Sequence, residues 1–343
     1  MQNADSCHEL LRDSVKQRLA FSTRLRFSVW KERLRKKFVE LCGIANIEKN
    51  VCELCVRIEE DVLKDGYRRI RFTFASERGL RVPCYLLLPD AGESIYPLAI
   101  TLQGHSTGFH NSIGEIKYPQ DGEYQPRGAF ALQAVRRGFA SLAVEQRGFG
   151  EQRSPLTHGQ NCQHVFTSAL LLGRTIIGER VWDIHRAIDA VLTTFHQVDG
   201  TRIVITGNSG GGTAAYYAAC YDERIGLCVP SCSFCPYRES LLSVWHCGCN
   251  YIPDAYRWFE MYDLAGLIAP RKLVIVAGRR DEDFPIEGVR RGYESVRSIY
   301  TAAGAQENCH LIETPKGHWW CEEIVWNAVL RETGMLDISE GRQ

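Results

Sequence analysis

The stretch 202–213 constrains the fold of this chain more than any other feature, because an apolar run there meets a turn of small residues. Residues 203–205 are β-branched, residues 207–212 hold a single serine, Ser209, among small neighbours, and an alanine- and tyrosine-rich segment follows. This order predicts a strand, a sharp turn and a helix. Gly207 and Gly211 keep Cβ atoms away from the place where the two arms crowd together, so Ser209 can occupy a strained tip.

The pattern Gly-x-Ser-x-Gly at such a turn is typical of a nucleophile elbow, in which a serine hydroxyl is exposed at the end of a strand. The pattern alone is only moderately specific, because similar turns also bind phosphates or simply connect two elements. The ends of the neighbouring strands must therefore decide between these interpretations.

Short runs that are apolar on both faces recur along the chain, which is typical of buried parallel strands. Segments of helical length separate them. Before them, residues 67–88 alternate between apolar and polar and predict an antiparallel hairpin at the edge of the sheet. We therefore predict an α/β fold with a doubly wound, mostly parallel sheet and an antiparallel start. The predicted parallel strands lie at 98–102, 140–144, 203–205, 227–229 and 273–276.

The beginning of the chain reads as helix from about residue 6 to residue 41, with an apolar stripe that includes Trp30, Leu34 and Phe38. The stripe is narrow and acidic residues interrupt the basic face, so packing on the main domain is favoured over a membrane surface. We predict a helical extension over residues 1–46 and one α/β domain over residues 47–343.

Composition excludes several classes of protein. The 41 basic and 41 acidic residues of the 343-residue chain cancel, so no electrostatic footprint favours nucleic acid or an anionic membrane. No apolar run approaches the length of a membrane span, and the first residues lack the apolar core of a secretory signal. A cytoplasmic location is therefore expected, and oligomeric state is left open, with a homo-oligomer among the alternatives.

Fourteen cysteines are many for such a chain, and without an export signal they are expected to be reduced, mostly buried thiols. A short pair, Cys52 and Cys55, and a larger group both have spacings that resemble metal sites. Because buried cysteines greatly outnumber liganded ones, we predict no metal, with metal binding by the larger group left open. We also predict no organic cofactor. The larger group comprises Cys232, Cys235, Cys247 and Cys249, with His246 beside it.

Functional groups of a doubly wound sheet gather beyond the carboxyl ends of its strands. The strand at 98–102 is followed by a small-residue loop, 103–108, whose backbone N–H groups are free to face a ligand. The negative charge of a tetrahedral intermediate needs such donors. We predict that the backbone N–H groups of His105 and Gly210 form an oxyanion hole.

Two further strand ends supply an acid and a base. Asp281, Glu282 and Asp283 follow the strand at 273–276, and His318 lies on the loop before the last helix. A serine hydroxyl needs an imidazole to take its proton, and that imidazole needs a carboxylate to orient it. These residues follow one another along the chain in the order serine, acid, histidine, which is the order known for nucleophile elbows. Asp281 is favoured as the acid because it comes first after the strand, and Asp283 is the alternative.

These motifs together resemble the acetyl xylan esterase and cephalosporin C deacetylase-like branch of the α/β hydrolases, in particular intracellular bacterial members with a helical N-terminal extension. The similarity runs from about residue 30 to residue 326. It rests on Asp65-Gly66-Tyr67, on 85–89, on Gln103-Gly104-His105, on 147–150, on 207–211, on Ala269-Pro270-Arg271, on 281–285 and on Gly317-His318.

The resemblance implies an α/β-hydrolase fold with Ser209 as nucleophile, Asp281 as acid and His318 as base, and with the amides of His105 and Gly210 as the oxyanion hole. It also implies hydrolysis of short acyl esters, often acetyl groups on sugars. Three long individual loops, 108–127, 153–178 and 234–263, leave the substrate open.

We therefore predict a serine carboxylesterase acting on a small-molecule ester through an acyl-enzyme. Two alternatives stay open: a serine peptidase or amidase related to the dipeptidyl peptidases, and a hydrolase fold without catalysis that serves in binding. Several aromatic residues fit either an acyl or sugar pocket or the core, namely Trp245, Tyr251, Tyr256, Trp258 and Trp319.

Overall fold

A nine-stranded sheet forms the centre of the molecule, in a computed structural model that describes residues 4–90, 94–156 and 162–336. The strands are β1 (Arg57–Lys64), β2 (Tyr67–Glu77), β3 (Leu80–Pro89), β4 (Tyr96–Leu102), β5 (Ala140–Val144), β6 (Val198–Asn208), β7 (Ile225–Ser231), β8 (Lys272–Gly278) and β9 (Cys309–Thr314). Their order across the sheet is β1-β2-β3-β5-β4-β6-β7-β8-β9. This order, with its reversal around β4, is that of a doubly wound sheet, as predicted.

Strand direction divides the sheet into two parts. β1, β2 and β3 pair antiparallel, and β3 joins β5 antiparallel, whereas β5, β4, β6, β7, β8 and β9 pair in parallel. All seven residues of β4 and all five of β5 are buried, as expected for parallel strands covered on both faces. The predicted α/β fold with an antiparallel start is confirmed.

The antiparallel part holds one strand that the sequence pattern did not predict. β1 is mostly exposed and carries few apolar residues, so it lacks the alternation by which β2 and β3 were recognised. Salt bridges to β2 hold it at the sheet edge, with Arg68 paired to Asp61 and Arg69 paired to Glu60. Such charged cross-strand pairs stabilise an exposed edge only modestly, by about 0.2–1 kcal/mol each.

Helices cover both faces of the sheet. The helices are α1 (Ala4–Ser14), α2 (Phe27–Leu41), α3 (Ile44–Glu48), α4 (Phe130–Val135), α5 (Gln163–Leu171), α6 (Ile176–Thr194), α7 (Gly210–Tyr221), α8 (Ala265–Ile268), α9 (Ile286–Ala302) and α10 (Glu322–Thr333). Successive residues of β6 alternate between two hydrophobic clusters, Ile203 and Ile205 with α6 and α7, and Val204 with α4 and α10. The period of two thus places one cluster on each face of the sheet.

The predicted single helix near the N-terminus is two helices, because residues 15–26 make tertiary hydrogen bonds instead of helical ones. The backbone N–H groups of Arg18 and Leu19 donate to the carbonyls of Arg257 and Trp258, at 3.2 and 2.7 Å. The indole Nε1 of Trp30 donates to the carbonyl of Leu19 at 2.8 Å. This segment therefore lies along another loop, and the helical prediction for it was wrong.

The two N-terminal helices differ in burial. α1 buries none of its residues, whereas α2 buries Trp30, Leu34 and Phe38 in the same cluster as α6 and α7. Packing of α2 on the main domain, as predicted, is confirmed. Within the described part of the chain, no helix combines the length and apolarity needed to cross a membrane.

We expect Trp30→Ala to lower the free energy of unfolding by about 3–5 kcal/mol, because it empties a packed site in the core. The indole is 1% exposed, and a Cβ atom at Gly266 would collide with its ring. Trp245→Ala is the matched control: that indole is 85% exposed, so a change within about 0.5 kcal/mol is expected. Urea unfolding followed by circular dichroism measures both, and equal effects of the two substitutions would contradict this view of α2.

Candidate active site

Ser209 stands alone between β6, which ends at Asn208, and α7, which begins at Gly210. Its φ of 55° and ψ of −129° lie in a region that few non-glycine residues adopt. The backbone N–H of Ser209 donates to the carbonyl of Ser231 on the neighbouring strand β7 at 2.9 Å, which holds the turn in place. The predicted strand, sharp turn and helix are therefore present.

Two glycines make this turn sterically feasible. A Cβ atom at Gly207 would lie 2.6 Å from the carbonyl oxygen of Leu102, and one at Gly211 would lie 2.6 Å from the carbonyl oxygen of Gln103. Both distances are shorter than any side chain tolerates, so β6 and α7 approach the end of β4 only because these positions are glycine. The end of β4 is thereby placed directly beside Ser209.

The loop after β4 lies against the turn. A Cβ atom at Gly104 would stand 2.7 Å from the carbonyl oxygen of Asn208 and 3.1 Å from the Cβ of Ser209. Gly210 is the first residue of α7, so its N–H has no acceptor within the helix. His105 follows Gly104, and its ring packs close to Gly210. The two N–H groups predicted for an oxyanion hole thus belong to segments that touch each other.

His318 and Asp281 come together at the ends of β9 and β8. The Nδ1 atom of His318 lies 3.0 and 3.1 Å from the two carboxylate oxygens of Asp281. Asp281 is 5% exposed, and its Oδ1 accepts hydrogen bonds from the backbone N–H groups of Asp283 and Phe284 at 3.0 and 3.2 Å. The structure therefore fixes the carboxylate in one orientation toward the imidazole.

The other two acids of this loop stand differently. Asp283 places an oxygen 3.6 Å from the same Nδ1 atom, but its side chain is 50% exposed, and Glu282 is exposed. The geometry thus favours Asp281 over Asp283 as the partner of His318.

The pKa of His318 is raised above its ordinary value of 6.5. Burial lowers this pKa, but the hydrogen bond to Asp281 and the negative charges of Asp281 and Asp283 together raise it by more. With Nδ1–H donated to the carboxylate, the Nε2 atom of the neutral ring is left to accept a proton.

A cavity of about 750 Å³ contains both Ser209 and His318 in its lining, together with the loop residues 103–106. Within the described residues no hydrogen bond links the hydroxyl of Ser209 to the ring of His318. Contacts of this kind often tighten only when a substrate binds. The arrangement places a hydroxyl, an imidazole and backbone N–H donors around one volume of the size that small ligands occupy.

The walls of the cavity include a residue that the sequence did not indicate. Arg127 stacks on the Trp319 ring, 3.7 Å from its centroid, and burial lowers the pKa of its guanidinium. It lies in the long loop 108–127, where no local pattern marks it. Among the aromatic residues considered above, Trp245 lines the cavity, whereas Tyr251, Tyr256, Trp258 and Trp319 are not part of its lining.

The larger cysteine group is divided by the structure. Cys232 lies beside Asp281 and directs its thiol toward backbone carbonyls, and burial raises its pKa to about 12. Cys235 is in the hydrophobic core. Cys247 and Cys249 instead lie near His105 and a cysteine that the spacing argument did not include, Cys162. The spacing that left metal binding by Cys232, Cys235, Cys247 and Cys249 open therefore does not correspond to one cluster among the described residues.

The sheet, the serine at the strand–helix turn and the paired histidine and carboxylate at the last strand ends define the class of the protein as an α/β hydrolase. A family model described as "Abhydrolase family" matches residues 5–219, and the chain belongs to this family. The matched range includes Ser209 and ends before Asp281 and His318.

The chain is also similar to individual proteins. The "Putative hydrolase YtaP" of Bacillus subtilis (strain 168) is 27% identical over 252 residues, which cover 73% of this chain and 82% of that protein. A crystal structure from Bacteroides fragilis NCTC 9343, described as a "putative acetyl xylan esterase", superposes with a TM-score of 0.80 at 18% identity, over 96% of this chain and 95% of the other.

A glucuronoyl esterase from Solibacter usitatus superposes with a TM-score of 0.64 at 15% identity, over 94% of this chain and 99% of the other. These two structural likenesses establish the fold, and the predicted α/β-hydrolase fold is confirmed.

We expect nuclear magnetic resonance titration of His318 to give a pKa above 6.5. Asp281→Asn should lower that pKa by about one unit or more, because it removes the charge that contacts Nδ1, and Asp283→Asn should lower it less. Glu282→Gln, which changes an exposed neighbouring carboxylate, serves as the control and should leave the titration nearly unchanged. A larger effect from Asp283→Asn than from Asp281→Asn would contradict the geometry described above.

Proposed function

We propose that this protein is a serine carboxylesterase that hydrolyses short-chain acyl esters, with acetyl as the preferred acyl group, through Ser209, His318 and Asp281. One observation carries the proposal: a serine held at a strained turn shares a cavity with a histidine whose Nδ1 atom is held by a buried carboxylate. This combination gives a weak nucleophile the base it needs.

In the proposed first step, the neutral Nε2 atom of His318 takes the hydroxyl proton of Ser209 while Oγ attacks the ester carbonyl carbon. The carbonyl oxygen becomes negative, and the N–H groups of His105 and Gly210 stabilise it. Asp281 stabilises the imidazolium that forms. When the tetrahedral intermediate collapses, His318 gives its proton to the departing alcohol and the acyl group remains on Ser209.

In the second step, His318 takes a proton from water, the hydroxide attacks the acyl carbonyl carbon, and the acid leaves as Ser209 regains its proton. Asp281 keeps the ring of His318 in the same orientation throughout, because two backbone N–H groups and the ring itself hold its carboxylate.

The choice of an ester on a small molecule is supported by the cavity and by the comparisons. The cavity volume of about 750 Å³ suits a small ligand, and Trp245 at its wall offers an aromatic face on which a sugar ring can stack. Proteins of the same fold carry the names acetyl xylan esterase and glucuronoyl esterase. We therefore include acetylated carbohydrates among the proposed substrates.

A cytoplasmic location is part of the proposal. It is supported by the fourteen cysteines, none of which forms a disulfide in the structure, as is usual in a reducing compartment.

We expect a fluorophosphonate probe to label Ser209 covalently and p-nitrophenyl acetate to be hydrolysed, because both reactions need only the activated hydroxyl. Ser209→Ala should abolish labelling, whereas Ser106→Ala, a serine in the same cavity, should retain it. Intact-protein mass spectrometry measures the adduct. Folded protein that takes up no probe would overturn the proposal in favour of a binding role, and rapid cleavage of aminoacyl amides without ester cleavage would favour a peptidase.

We expect Asp281→Asn to reduce kcat by on the order of 10⁴, as when an orienting carboxylate is lost from other triads. Asp283→Asn should reduce it less than about tenfold, since that charge is half exposed.

The pH dependence supplies a second readout. The base must be neutral, so activity falls as the pH drops through the pKa of His318, which lies above 6.5. Asp283→Asn lowers that pKa and should extend activity to lower pH. A severe loss in Asp283→Asn with a mild one in Asp281→Asn would reassign the acid to Asp283.

A further inference from the structure

Three cysteines and a histidine converge beside the cavity, a set that we refer to as the thiol–histidine cluster: His105, Cys162, Cys247 and Cys249. The Nε2 atom of His105 lies 3.1 Å from the sulfur of Cys249 and 4.0 Å from that of Cys162. The sulfurs of Cys162 and Cys247 are 3.1 Å apart. All four potential ligand atoms lie within 4.8 Å of one another.

The backbone brings these four side chains together from three separate segments. His105 comes from the loop after β4, Cys162 directly precedes α5, and Cys247 and Cys249 flank Gly248. A Cβ atom at Gly148 would lie 2.7 Å from the Cβ of Cys162, and one at Gly248 would overlap the ring of Phe166. Neighbouring segments therefore pack closely against the thiols on both sides. Such packing is expected of a preformed site rather than of surface cysteines that happen to lie together.

We propose that the thiol–histidine cluster binds one zinc ion in a tetrahedral Cys₃His site. Zinc takes thiolate sulfur at about 2.3 Å and imidazole nitrogen at about 2.0–2.1 Å, so ligand atoms on a tetrahedron stand roughly 3.5–3.8 Å apart. Two of the observed separations are shorter than this range, at 3.1 Å for His105 Nε2 to Cys249 Sγ and for Cys162 Sγ to Cys247 Sγ, and the 4.0 Å from His105 Nε2 to Cys162 Sγ is longer. Small rotations of the side chains would bring these separations into the range. Four protein ligands close the coordination sphere, which is typical of a structural rather than a hydrolytic zinc.

A buried cation independently points to negative charge at this place. The side chain of Arg180 is 1% exposed and has no carboxylate within ion-pair distance among the described residues. Its guanidinium donates to the carbonyl of Arg147 at 2.9 and 3.1 Å and lies over the ring of Phe149, which packs against His105. It is near enough for its charge to act on Cys162 and Cys249.

Metal binding would place an anionic group beside this cation. Zinc replaces the three thiol protons, which pass to solvent, and the ion with three thiolates and a neutral imidazole carries a net charge of −1. A buried arginine is costly unless such an anion compensates it. The proposal departs from the expectation of a metal-free protein, and it does not depend on the proposed esterase activity.

The proposed site adjoins the candidate oxyanion hole. The Nε2 atom of His105 faces the thiols, whereas a Cβ atom at Gly210 would stand 3.1 Å from Nδ1 of the same ring. Zinc on Nε2 would therefore fix the ring that packs on the start of α7. The ion would also tie together the loop after β4, the start of α5 and the segment around Gly248, all of which contribute residues to the cavity wall.

The test measures metal on the full-length chain, produced without a metal-binding tag in cells supplied with zinc. Inductively coupled plasma mass spectrometry should find about one zinc per chain. Cys162→Ser and Cys249→Ser should each lose it. The matched control is Cys232→Ser, because Cys232 with Asp281 and His318 forms the other group of possible ligands among the described residues. Zinc lost only in Cys232→Ser would overturn the proposal.

A second measurement uses the unaltered chain, so that the test does not depend on whether the variants fold. Cys162, Cys247 and Cys249 should resist alkylation until a strong chelator is added, and peptide mass spectrometry then identifies them. Cobalt in place of zinc should give the visible bands of a tetrahedral thiolate site. Protein that neither contains metal nor binds added zinc under reducing conditions, or that retains zinc in both serine variants, would refute the site. A disulfide between Cys162 and Cys247 in metal-free protein would also refute the zinc site and would indicate a redox-active cysteine pair instead.

Discussion

The close backbone approach among β4, β6 and α7 is the constraint on which the rest of the site depends. Gly207 and Gly211 meet the carbonyls of Leu102 and Gln103 at distances that exclude any side chain. This contact places the serine turn directly over the loop that follows β4. Because both segments leave adjacent parallel strands, a local clash would separate the hydroxyl from the N–H groups proposed for the oxyanion hole without unfolding the sheet. Strain at Ser209 persists because the surrounding strands fix its position.

A buried ionic network around Arg147 also supports this arrangement. Arg147, in the turn after β5, binds both carboxylate oxygens of Asp183 on α6 at 2.7 and 2.8 Å and pairs with Glu77 at the end of β2. Burial lowers the pKa of this guanidinium, but the surrounding carboxylates raise it by more, so the charge is retained. Such a network adds little to the net free energy of unfolding, but it fixes the geometry of the groups it joins. Loss of one partner is costly because it leaves an uncompensated buried charge. It ties α6, which also carries Arg180, to the two halves of the sheet.

The sequence predicted the features that follow from local order. Apolar runs located the parallel strands, and the chain order of Ser209, Asp281 and His318 placed three candidates at strand ends. The structure brings Asp281 and His318 into contact and places Ser209 in the same cavity as His318. The catalytic roles of these residues stay proposals. Local order sufficed because a parallel sheet converts sequence order into spatial position.

Features that depend on distant contacts were not predictable in this way. Cys162 and Cys247 are 85 residues apart, and no spacing rule relates them. Residues 15–26 leave the helical pattern because Arg18 and Leu19 hydrogen-bond to a remote loop. In the second case tertiary contacts outweigh helix propensity, which varies among ordinary residue types by less than about 1 kcal/mol per residue.

The charged edge strand β1 affects how copies of this protein can associate. An exposed edge offers unpaired backbone groups to any other strand, and long flat apolar edges extend into aggregates. Here the outer strand carries Glu59, Glu60 and Asp61 in sequence, and a register shift between Ile58 and Glu60 interrupts its pairing with β2. A second copy brought alongside would meet charged side chains that are already paired with arginines of β2, and an irregular backbone. These features disfavour extension of the nine-stranded sheet that the described residues form, so we expect any self-association to use a surface other than this edge.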